Sequence, residues 1–110
     1  MINEKWIYIC SPLSGNIEEN IRKAVGYCKI AEPYGMPIAP HTIFTQFLDD
    51  TDPKQREKGM KWGIDLLRLC DELWVFGEPS NGMKQEINWW KEHYGEDNET
   101  YIKYFNAKGL

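Results

Sequence analysis

Cysteine is sparse in this chain. Cys10, Cys28 and Cys70 are odd in number, widely spaced and without a C-x-x-C pair. That pattern argues against a disulfide framework or a zinc site and reads as reduced, buried thiols in a cytoplasmic protein. Apolar runs are short, and none approaches the roughly 20 residues that a membrane-spanning helix needs. The first strand-like run begins almost at once after Met1-Ile2-Asn3-Glu4-Lys5, so a soluble, unexported protein with no membrane partner is expected. Basic blocks are absent as well. Thirteen Lys and Arg stand against 17 Asp and Glu, for a net charge of −4, which makes nucleic acid a poor partner. Neither G-x-G-x-x-G nor a Walker pattern occurs, and neither a cofactor nor a metal is expected.

What remains is one small domain's worth of chain. At 110 residues and 42% apolar content the sequence can bury a single core, and no linker, repeat or low-complexity segment divides it. Five Trp, six Tyr and four Phe are many for this length, and they read either as core or as the lining of a pocket or subunit contact.

Strand and helix patterns alternate. Trp6 to Cys10 is a short aromatic and β-branched run, stopped by Ser11-Pro12-Leu13-Ser14-Gly15. Ile17, Ile21, Ala24, Cys28 and Ala31 then recur at helical steps, with Asn16 as cap. Pro33 to Gly35 closes that helix, and Met36 to Pro40 reads as a second strand whose prolines place it near a sheet edge. From His41 to Asp52 the pattern is irregular, as in a functional loop. Pro53 opens a helix striped by Met60, Ile64 and Leu67. Glu72 to Phe76 is the third strand, Met83, Ile87, Trp90 and Tyr94 stripe the third helix, and Gly95 stops it. Thr100 to Phe105 is a fourth strand, followed by a short tail. Helices between strands imply right-handed crossovers and a parallel sheet with helices on both faces, whose ligand lies beyond the carboxyl ends of the strands.

One segment concentrates the chemical signal. Ser80-Asn81-Gly82-Met83-Lys84-Gln85-Glu86 follows directly on the apolar run Leu73-Trp74-Val75-Phe76-Gly77, so a helix opens just past a strand end and its second turn carries a carboxylate beside an apolar face. Taken with Tyr8-Ile9-Cys10-Ser11-Pro12, with Gly63-Ile64-Asp65-Leu66-Leu67 and with Cys70-Asp71-Glu72-Leu73-Trp74-Val75, it resembles the nucleoside 2-deoxyribosyltransferase superfamily. Within that superfamily the chain looks most like the small uncharacterised domains of the DUF4406 type, over roughly residues 6 to 92. The resemblance implies a Rossmann-like (flavodoxin-like) α/β/α sandwich, homo-oligomers whose neighbouring subunits complete the pocket, and cleavage or transfer of the N-glycosidic bond of a 2′-deoxynucleoside or its 5′-monophosphate. It further implies Glu86 as the nucleophile at the sugar C1′, Asp65 as the residue that handles the leaving base, and Tyr8 as the residue that positions nucleophile or sugar. The run Ile87-Asn88-Trp89-Trp90 after the glutamate departs from the small residues common there.

The residue types fit that chemistry independently. An ionised carboxylate under C1′ stabilises an oxocarbenium-like state or bonds to it, while a second carboxyl assists the base. Ser11, Pro12, Ser14 and Gly15, at the start of the first helix, suit an anion such as a 5′-phosphate. Ser80, Gly82 and Met83 form a comparable site at the third helix, and His41 is a further contact to base or phosphate.

Each assignment has a plainer rival. Glu86 also reads as a solvated carboxylate paired with a lysine, Asp65 as an exposed helix residue, Tyr8 as an ordinary packed tyrosine and His41 as a loop anchor. Asp71 reads as a helix-to-strand capping residue, and His93 as a partner of the helix dipole. Arg56 is either a phosphate ligand or an ion-pair partner of Glu57 and Asp52. Trp89 and Trp90 suggest a core and dimer-contact helix. A nucleotide-binding module without turnover is the alternative to an enzyme.

Overall fold

The computed structural model describes residues 4–95 and 102–106. Four strands, β1 (Trp6–Cys10), β2 (Met36–Ile38), β3 (Glu72–Phe76) and β4 (Ile102–Phe105), form one parallel sheet in the order β2-β1-β3-β4. Three α-helices, α1 (Ile17–Ala31), α2 (Pro53–Leu67) and α3 (Asn81–Tyr94), make the crossovers. The result is a small Rossmann-like, flavodoxin-like α/β sandwich. Strand order reverses between β1 and β3, which puts the ligand-binding crevice of such folds beyond those two strand ends.

Alternation along β1 decides which helix each side chain meets. Ile7 and Ile9 pack with Tyr27, Ala31, Trp74 and Phe76 on the α1 face. Tyr8 and Cys10 pack with Leu67, Leu73, Val75, Met83, Ile87 and Trp90 on the α2/α3 face. β3 is buried along its whole length, as a strand covered on both sides must be. β2 is an edge strand and carries Pro37, a residue that central strands exclude.

The caps follow the residues expected to make them. Asn16 accepts from the Glu19 N–H at 3.2 Å, and Asp52 from the Lys54 N–H at 3.0 Å with Pro53 in the first turn. Ser80 Oγ accepts from the Met83 N–H at 3.4 Å, satisfying one of the donors that a helix start leaves open. Asp71 caps a strand rather than a helix, its carboxylate accepting from the Trp6 N–H at 2.7 Å.

Two stretches differ from the sequence reading. The second strand ends at Ile38, and the stretch read as an irregular loop from His41 contains two 3₁₀ turns, Pro40–Thr42 and Phe44–Gln46. Thr42 Oγ1 donates to the Ala39 carbonyl at 2.7 Å, and Thr45 Oγ1 to that of His41, so short side chains close these turns. The fourth strand is described from Ile102; Thr100, and the tail after Asn106, lie outside the described residues. Among the described residues no helix is long and apolar enough to cross a membrane.

Candidate functional site

The turn after β3 aims the chemistry. Gly77 takes a φ of +82°, a conformation that costs glycine little and other residues much, and three residues later Ser80 caps α3. Met83, Glu86, Ile87 and Trp90 recur at steps of three, one and three along α3, and all are buried. Glu86 therefore shares the apolar stripe of its helix and faces the sheet, 6% exposed.

Two β1 side chains meet it there. Tyr8 Oη donates a hydrogen bond to Glu86 Oε2, and the Cys10 thiol donates to Oε1 across 3.6 Å. Burial, which disfavours the charged form, pushes the Glu86 carboxyl up to about 7 against the restraint of these two bonds. Burial and the neighbouring carboxylate also push Tyr8 well above the usual tyrosine range, and Cys10 well above that of a thiol. Tyr8 therefore holds its proton and acts as a donor. Glu86 changes charge near neutrality, where one group can serve as nucleophile or as proton carrier.

A glycine leaves room for this pair. A Cβ at Gly63 of α2 would stand 3.1 Å from Tyr8 Oη and 3.6 Å from Glu86 Oε2. The helix position facing the carboxylate thus carries no side chain. Asp65 lies two residues further, about 200° around the helix at roughly 100° per residue. Its exposed carboxylate sits 3.7 Å from Lys61 Nζ.

Tyr8, Glu86 and Gly63 line a concavity of about 680 Å³, counted with its open mouth, at the carboxyl ends of β1, β2 and β3. The loop after β1 supplies Ser11 and Ser14, the segment after β2 supplies His41, and the start of α3 supplies Ser80, Gly82 and Met83. The sequence placed all of these at the site. His41 Nε2 lies 2.9 Å from the Ser11 carbonyl, and since a carbonyl only accepts, Nε2 carries the proton. Burial lowers the His41 pKa, opposed by that hydrogen bond and by the charge of Asp50.

Three predicted residues are not brought to this wall. Asp65 belongs to the solvent face of α2 as described, a correction to its expected place beside the leaving base. Pro12 and Gly15 are absent from the lining, because only Ser11, Leu13 and Ser14 of their loop face inward. Arg56 does reach the cavity, with Asp50 rather than Asp52 or Glu57 as its ion-pair partner, at 3.9 Å. Sequence reasoning missed Asp50, Phe44, Met60 as a lining residue, and the pair Gly59 and Gly63. Two glycines four apart on a helix of otherwise good helix formers was the legible signal, since they leave one face bare.

Trp90 is buried in the core, whereas Trp89 is half-buried, stacked on His93 and covered by the Arg68 guanidinium. Among the described residues no three His, Cys, Asp or Glu side chains gather as a metal site requires.

Fold and site together define a small α/β protein with a buried, tyrosine-bonded glutamate at the switch point of its sheet. The chain belongs to a family of domains of unknown function, DUF7768, whose profile matches residues 5–98. No curated protein matches it.

Proposed function

We propose that the protein cleaves, or transfers, the N-glycosidic bond of a 2′-deoxynucleoside or its 5′-monophosphate, with Glu86 as nucleophile. The observation that carries this reading is the placement of the Glu86 carboxylate: buried, on the cavity wall, held by Tyr8 and Cys10. The motif resemblance to nucleoside 2-deoxyribosyltransferases and DUF4406-type domains supports it. A carboxylate oxygen attacks C1′, the C1′–N bond breaks, and its electron pair leaves with the base, which takes a proton from solvent at the open mouth. Water then attacks C1′ and loses a proton to solvent as the bond from C1′ to the Glu86 oxygen breaks, releasing the sugar and restoring the carboxylate; a second base attacking in its place, with loss of its N–H proton, gives transfer. Tyr8 keeps one carboxylate oxygen oriented throughout.

Only the ionised carboxylate attacks, so base release rises with pH through about 7 and levels off above it. Incubating the protein with the four deoxynucleosides and their monophosphates, and separating free base by chromatography, tests the reading. Release that Glu86→Gln abolishes supports it, and release that the variant leaves intact removes it.

A second reading rests on Gly63. With no side chain on α2 opposite the carboxylate, and Asp65 turned outward, a nucleotide-binding module without turnover also fits this cavity. Retained binding with no base release from any of the eight substrates decides for the module. A cytoplasmic homo-oligomer belongs to the proposal too, and sedimentation as a monomer would remove that part.

A further inference from the structure

We propose that the cavity selects a sugar phosphate monoester over the bare nucleoside, and that Arg56 is the residue that makes the selection. The inference rests on the nucleoside reading for the identity of the sugar, but not on turnover.

The loop after β1 is wired to receive an anion. Three of its carbonyl oxygens are already engaged: that of Ser11 by His41 Nε2, on the cavity wall, at 2.9 Å, and those of Leu13 and Ser14 by Asn20 Nδ2 at 2.9 and 3.2 Å. Acceptors that would repel an oxyanion are thus satisfied by these donors. Ser11 Oγ, in contrast, is buried on a residue 2% exposed and has no hydrogen-bond partner among the described residues. A buried hydroxyl without a partner is unfavourable, and a ligand oxygen at the cavity wall relieves that cost. Gly82, in the opening turn of α3, lines the same space, where helix geometry favours negative charge.

Arg56 supplies the formal positive charge. Its side chain lines the cavity and is 45% exposed, and the guanidinium contact to Asp50 is long at 3.9 Å. A dianionic phosphate presents acceptor oxygens in the planar geometry that a guanidinium matches, so it displaces Asp50 from this loose pair. Asp50 is then an internal competitor, whose carboxylate disfavours any anion at the same edge.

Calorimetry at low ionic strength with 2-deoxyribose 5-phosphate, the four deoxynucleoside 5′-monophosphates and the matching nucleosides tests the proposal. The phosphates bind about tenfold or more tightly than their nucleosides, the worth of one charge-assisted hydrogen bond. Arg56→Ala brings the monophosphates down to nucleoside affinity, and Asp50→Asn tightens them. Circular dichroism of both variants confirms folding. Equal affinity for nucleosides and monophosphates in the unmodified protein overturns the proposal, as does a phosphate preference that survives Arg56→Ala. Failure here is separable from failure of the glycosidase reading. Base released equally from nucleosides and monophosphates sinks this inference alone, whereas Arg56-dependent phosphate binding with no base release sinks the other alone.

Discussion

The two faces of β1 differ sharply although a single peptide plane separates one residue from the next. On the α1 face Ile7 and Ile9 meet an aromatic layer in which Phe76 stacks on Tyr27 at 4.3 Å and on Phe105 at 4.7 Å. On the α2/α3 face Tyr8 and Cys10 converge on a buried carboxyl. The α1 face gains stability from its apolar contacts. Across the sheet, a group whose charged form resists burial is held at some cost in stability, as chemically competent sites commonly are.

Perturbing each face separately breaks or sharpens that contrast. The largest effect belongs to Phe76→Ala, which empties the aromatic layer and costs about 3–5 kcal/mol, measured by urea unfolding. If the faces are independent, the folded variant keeps its ligand affinity.

Next comes the dependence of stability on pH. The folded Glu86 carboxyl binds its proton more tightly than the unfolded one, with a pKa of about 7 against 4.5. Its stabilising contribution is therefore full below the unfolded value and is lost as pH rises through the folded value. Linkage puts the loss at about 3 kcal/mol between pH 4 and pH 8. Glu86→Gln, which has no such proton to lose, should be more stable than the parent at pH 8 by a similar amount and should lack this part of the pH slope. Urea titrations of both proteins at the two pH values check it, and equal slopes would mean that the carboxyl is solvated.

Smaller again is Gly63→Ala. On an exposed helix the change would gain about 1 kcal/mol. Here the new Cβ meets a buried, hydrogen-bonded Tyr8 hydroxyl at 3.1 Å, so a loss of about 1 kcal/mol is expected, together with weaker ligand binding. Thermal unfolding gives the sign. Smallest is Asp65→Asn, which removes an exposed pair with Lys61 and should change stability by less than about 0.5 kcal/mol and leave ligand affinity untouched.

Periodicity made most of the fold legible. Glu72 to Phe76 reads as a strand from its apolar run alone, and Asn16, Pro53 and Ser80 mark helix starts through the donors that a first turn leaves open. Spacing also placed Glu86 beside the stripe of Met83, Ile87 and Trp90, and the structure buries it with them. The 3₁₀ turns after β2 were not legible, because they are closed by threonine hydroxyls bonding to nearby carbonyls and leave no apolar period. Asp65 was misplaced for a different reason: motif resemblance fixes position along the chain, whereas two residues of helix turn a side chain to the opposite face. Asp50 and Arg56 meet only through the bend between loop and helix. No local pattern records that.

Glu86 is proposed to lie beneath the sugar and to bond to it. Acid quenching during incubation with deoxynucleoside monophosphates, followed by proteolysis and mass mapping, measures this directly. A deoxyribose 5-phosphate adduct on the peptide bearing Glu86, absent from Glu86→Gln, is the predicted result. Base release with position 86 unmodified, undiminished in the glutamine variant, would contradict the account.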